Sequence, residues 1–155
     1  KPQYVCIVPE KRSEITTEGG LNLYKNKLII KNIIKKLKRQ NIKVSLFIEP
    51  KLSHIKISKK LGADSVELHT GKYCNNFKNK KIRNSIYSKL RDSSILARKI
   101  GLNVHAGHGL TYESAKYISK IKHISEFNIG HFIISESIFL GMEKPIRNFK
   151  KIINQ

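Results

Sequence analysis

Short runs of apolar and β-branched residues recur along the chain, separated by longer stretches in which apolar positions return every three or four residues. Five runs predict strands: YVCIV (4–8), VSLFI (44–48), SVELH (65–69), NVHA (103–106) and EFNIG (126–130), the last reaching toward a second apolar stretch, HFII (131–134). Between the first two, residues 21–40 set Ile29, Ile30, Ile33, Ile34 and Leu37 at helical spacing, so one face can lie on a sheet while the lysines meet water. Residues 51–61, 82–100, 111–121 and 144–153 follow the same logic with less regular stripes, and Gly62 and Gly101 stand where C-terminal caps belong. This alternation predicts βα units around a parallel sheet, an α/β fold whose apolar strands fit a sheet covered on both faces. The polar, basic segment GKYCNNFKNKKIRN (71–84) reads as a loop leading into the next helix. No repeat, linker or boundary breaks the rhythm, so residues 1–155 read as one domain.

Composition narrows the partners. A net charge of +20 raises nucleic acid, because clustered lysine and arginine neutralise phosphates. Here the lysines are spread over nearly every predicted helix (Lys25, Lys35, Lys59, Lys89, Lys116, Lys150) and no RNA-reading aromatic motif accompanies them, so a solvated face is the simpler account. The matching excess of isoleucine and asparagine fits AT-rich coding. No run of about 18 apolar residues appears and KPQYVC lacks the regions of a signal peptide, so the expectation is a cytosolic chain, neither exported nor membrane-spanning. Cys6 and Cys74 lack metal-type spacing and read as structural or incidental thiols.

In parallel α/β folds the chemistry gathers at the carboxyl ends of the strands. The five predicted strands run into PEKRSEITTEGG (9–20), Glu49 and Pro50, Glu67 to Gly71, AGHGL (106–110) and NIGH (128–131), each polar or glycine-rich. Glycine beside histidine at the last two ends, around His108 and His131, suits an anion approached by backbone N–H groups with an imidazole as donor. An imidazole at such a place serves structure as readily as chemistry. Glu67 lies on an otherwise apolar strand, where a carboxylate must find a partner or shift its pKa; alternation puts it on one face with His69, and a buried ion pair is the structural alternative. His54 and His123 read as surface residues.

The blocks VPEKRSEITTEGGL (8–21), VSLFIEP (44–50), ELHTGKY (67–73), GLNVHAGHGLTY (101–112) and EFNIGH (126–131) resemble the pyridoxine 5′-phosphate synthase family over essentially the whole chain. The resemblance implies a (β/α)8 TIM barrel of which about the last five βα units are present, the first three being absent. It implies condensation of 1-deoxy-D-xylulose 5-phosphate with 3-amino-2-oxopropyl phosphate to pyridoxine 5′-phosphate, phosphate and water. No metal or organic cofactor is implied, and neither nucleic acid nor a membrane is a partner. His108 would be the proton donor and Glu67 would stabilise a transition state. Thr16 would bind the deoxyxylulose phosphate, while Gly109, Gly130 and His131 would hold the aminoketone phosphate. The family forms a homo-octamer. Where its members often carry a small residue followed by arginine, this chain reads SES (135–137), so Glu136 either points away from the anion or weakens its site. Two rivals remain open on the residues alone: another phosphate-binding TIM-barrel enzyme, and a basic nucleic-acid-binding protein.

Overall fold

A computed structural model describes residues 1–9 and 19–154. Its strands are β1 (Tyr4–Ile7), β2 (Lys43–Ile48), β3 (Ser65–His69), β4 (Asn103–Gly107) and β5 (Glu126–Asn128). The helices are α1 (Lys27–Arg39), α2 (Leu52–Leu61), α3 (Gly71–Asn75), α4 (Lys80–Lys99), α5 (Tyr112–Ile118), α6 (His131–Leu140) and α7 (Glu143–Ile153). All strands pair in parallel in the order β1-β2-β3-β4-β5, so each connection carries the chain back over the sheet through one or more helices.

Register decides which side of the sheet is the core. Val44, Leu46, Ile48, Val66, Leu68, Val104 and Ala106 alternate onto one face and are fully buried in one apolar cluster with Ile30 and Ile34 of α1, Ile55 of α2 and Leu90 of α4. Each such valine, leucine or isoleucine side chain removed from water stabilises the fold by about 1.5–3 kcal/mol. The other face is polar. Among the described residues the sheet is therefore packed against helices on one side only, which corrects the expectation of apolar cover on both.

Local chemistry explains the helix ends. Gly62, one of the two glycines expected to end helices, takes φ +93° after α2, where a side chain would be strained. The Asn79 side chain accepts from the Ile82 N–H to open α4. Thr111 and Ser114 exchange side-chain and backbone bonds in a reciprocal cap on α5, with the Thr111 N–H donating to Ser114 Oγ at 2.8 Å. Tyr112, Phe132 and Phe149 form a ring cluster with centroids 4.7–5.7 Å apart, joining α5, α6 and α7.

Two segments differ from the sequence reading. The stretch 71–84 begins as α3 and re-enters helix at Lys80, and HFII is the first turn of α6 instead of an extension of β5. A four-residue apolar run does not separate strand from helix by its periodicity. Among the described residues, no helix is long and apolar enough to cross a membrane.

Candidate active site

The polar face gathers Cys6, Ser45, Phe47, Ser65, Glu67, His69, His105, Gly107 and Asn128. A flat sheet would hold side chains two strands apart at roughly 10 Å. Instead, one carboxylate oxygen on the central strand, Glu67 Oε2, accepts from the Asn128 amide of β5 at 2.7 Å and from the Cys6 thiol of β1 at 3.4 Å. Both edges thus curl toward β3, and the sheet is half of a barrel with a polar lumen.

Glu67 is only 7% exposed. Burial pushes its pKa up, against the lowering effect of Asn128, Cys6 and His105. Although Cys6 is exposed as a residue, desolvation of its sulfur and the neighbouring carboxylate push the thiol up to about 12, so it stays protonated and donates to Glu67. Gly107 leaves room for this group, because a β-carbon there would displace Glu67 Oε1 and sit 3.0 Å from the Asn128 carbonyl oxygen.

Two residues beyond Glu67, at the end of β3, the rim begins. His69 is 6% exposed, and its Nδ1 lies 2.9 Å from Glu49 Oε1 at the end of β2. Glu49 also accepts from the Gly20 N–H at 3.3 Å and from Lys72 Nζ at 3.0 Å. The His69 bond, aided by Lys72, lowers its pKa to about 2 against the opposing effect of burial, so the carboxylate is anionic.

After β4 the backbone turns at His108 with φ +83°, a region that residues with a β-carbon seldom occupy. The turn is pinned by Thr70, whose hydroxyl lies 2.7 Å from the Gly107 carbonyl and 2.6 Å from that of His108. The ring of His108 meets His69 edge to face, centroids 4.9 Å apart, and stands 6.4 Å from Phe47.

These elements surround a cavity of about 750 Å³ at the carboxyl ends of the strands. Glu67, His108, Gly109, Gly130 and His131 all line it, so five of the six residues singled out in the sequence meet in one place. The sixth, Thr16, lies outside the described residues. Gly130 caps α6 and His131 opens it, which directs the unpaired N–H groups of a ten-residue helix to the cavity, with no acid in the first turn. Ser135 contributes to the wall and Glu136 does not. Among the described residues, no group of three or more His, Cys, Asp or Glu is placed to hold a metal ion.

Cys6, Glu49, His69 and Asn128 were not singled out as site residues. Strand alternation was the available signal for the last two. His54, read as a surface residue, is half-buried against the Tyr24 ring, centroids 6.0 Å apart.

A parallel, helix-backed sheet curled into half a barrel, with its cavity at the strands' carboxyl ends, defines a TIM-barrel-like α/β protein. The YdjI aldolase of Escherichia coli shares this fold, with a TM-score of 0.57 at 12% identity over 98% of this chain and 57% of that one. The chain belongs to the pyridoxal phosphate biosynthesis protein PdxJ family, whose model matches residues 1–155. It is 54% identical over 155 residues to the pyridoxine 5′-phosphate synthase of Pelagibacter ubique, covering all of this chain and 65% of the relative. It is 46% identical over 157 residues to that of a Hydrogenobaculum species, covering 99% and 65%. The chain therefore spans somewhat under two thirds of the length of the curated relatives it matches.

Proposed function

We propose that this chain is the carboxyl-terminal part of a pyridoxine 5′-phosphate synthase, one domain supplying the last five βα units of a (β/α)8 barrel. The whole protein condenses 1-deoxy-D-xylulose 5-phosphate with 3-amino-2-oxopropyl phosphate, releasing phosphate and water as the pyridine ring forms. The observation that carries the reading is the convergence of Glu67, His108, Gly109, Gly130 and His131 on one cavity.

The parts suit the chemistry. Joining an amine to a ketone with loss of water, and expelling a phosphate, requires protons to be delivered to leaving oxygens. His108, on a turn fixed by Thr70, is the donor. Glu67, held by Asn128 and Cys6, faces positive charge developing on the condensing nitrogen. A phosphate dianion fits the N-terminus of α6, where Gly130 presents its backbone without side-chain bulk, His131 adds a donor and Gly109 faces the same space. Thr16 contacts the other phosphoester. These steps move protons and break C–O bonds without electron transfer, so no redox cofactor is called for. Assembly into a homo-oligomer and residence in the cytosol belong to the same reading.

The test is formation of pyridoxine 5′-phosphate from the two phosphorylated ketones by the full-length gene product. Activity is expected, with His108→Asn losing about 10²–10⁴-fold in kcat and the 155-residue polypeptide inactive by itself. A full-length protein that makes no product, or a His108→Asn variant as fast as wild type, overturns the proposal.

A further inference from the structure

Glu49 and His69 have no role in the reading above, yet they form a part-buried polar pair beside the proposed proton donor. Three observations bear on what they do. First, the carboxylate fixes His69 by its Nδ1 and is itself fixed by the Gly20 N–H and Lys72, so the ring is held at one end by a small network. Second, the opposite nitrogen, His69 Nε2, is buried without a hydrogen-bond partner, an expensive state for a polar atom unless the place serves something else. Third, that free end of the ring converges with His108. A β-carbon on Gly71 would lie 2.5 Å from His69 Nε2 and 2.9 Å from His108 Cδ2, so both imidazoles close on the same bare α-carbon.

Ring packing alone does not explain the pair, because a phenylalanine on β3 would fill the same space without stranding a nitrogen. We propose that Glu49 and His69 together act as a positioning dyad for His108, the anionic carboxylate locking the His69 ring and that ring setting the orientation and proton affinity of the His108 imidazole. The inference rests on His108 being the proton donor. The logic resembles that of other acid–base histidines, whose alignment is imposed by a carboxylate through a hydrogen bond. Here the carboxylate acts through an intervening ring.

The ionisable surroundings of His108 set the sign of the effect. Among the described residues it shares the cavity with Glu67 of β3 and His131 of α6, packs on His69 of β3, whose Nδ1 bonds the Glu49 carboxylate that also holds Lys72, and its carbonyl lies 3.8 Å from the Cys74 thiol. Replacing Glu49 by glutamine removes a negative charge and leaves the Lys72 ammonium unpaired. Both changes disfavour the imidazolium of His108.

The experiment uses the full-length gene product and two independent readouts. In Glu49→Gln the NMR titration midpoint of His108 is expected to fall by about half a pH unit or more. In the same variant kcat is expected to fall at least about tenfold with KM changed far less, as for a group that acts on the transition state alone. Glu49→Asp, which keeps the carboxylate, recovers most of both. His69→Ala reproduces the loss, and Glu49→Gln, nearly isosteric, carries the test should that variant fail to fold. A folded Glu49→Gln protein whose His108 midpoint and kcat match wild type overturns the dyad. A wild-type protein that makes no pyridoxine 5′-phosphate but whose His108 midpoint still falls in Glu49→Gln overturns the proposed function, and with it the dyad's catalytic role, and leaves only the coupling of Glu49 to His108.

Discussion

Glu67 is a buried carboxylate on β3 and Glu49 a half-buried one just past the end of β2, and their surroundings drive them apart. Glu49 is held well below the ordinary glutamate range by His69 and Lys72, whereas burial holds Glu67 above it. A raised carboxyl pKa means that the folded state binds the proton more tightly than the unfolded chain, so Glu67 costs stability at neutral pH and ceases to do so as pH falls below the ordinary value of 4.5. Glu67→Gln is therefore expected to abolish synthesis and yet stabilise the full-length protein by about 1 kcal/mol near pH 7. Denaturant unfolding at a series of pH values checks it: the gain should shrink toward acid, and a destabilised Glu67→Gln at pH 7 contradicts it. The oddity of Glu67 was visible in the sequence, since a carboxylate in SVELH has few alternatives to chemistry or pairing. Its partners were not visible. Cys6 and Asn128 each lie 61 residues away in the chain, and only the curl of the sheet brings them to the same oxygen.

At the scale of elements, periodicity located all five strands and five of the seven described helices, missing α3 and α6, but overstated the breadth of the packed stripe. In α1 the sequence offers Ile29, Ile30, Ile33 and Ile34 alike, while the structure buries Ile30 and Ile34 at 2% exposure and leaves Ile29 62% exposed. The helix meets β2 and α2 along a narrow line, and spacing alone does not say which edge of a wide apolar face is in contact. Ile30→Ala is expected to cost about 2–4 kcal/mol, and Ile29→Ala within about 0.5 kcal/mol. Urea midpoints of the two variants separate them, and equal losses would mean that Ile29 is covered too. The helical state of residues 71–75 and 131–134 escaped the sequence reading for a different reason. Lys72, Asn75 and Asn76 look like loop chemistry, and HFII has strand composition, and in so short a stretch periodicity does not separate helix from loop or strand.

For the molecule as a whole, the sheet order leaves β1 and β5 as its outer strands among the described residues. Parallel strands at an edge offer unpaired N–H and C=O groups to any neighbouring chain. The 155-residue polypeptide is expected to self-associate with rising concentration while the full-length protein forms one defined assembly, a contrast that light scattering after size exclusion measures directly. A monodisperse, concentration-independent monomer of the short chain would count against open edges. The net charge of +20 opposes such association, and added salt should promote it by screening the repulsion.

The lumen-side bonds to Glu67 have a mechanical corollary. A single oxygen takes one tether from each rim of the arch, so the span of the half-barrel and the chemistry proposed at its crown share a keystone. A ligand that competes for that oxygen slackens the arch, and a substitution anywhere that flattens the arch draws the tethers away and leaves the carboxylate aimed elsewhere.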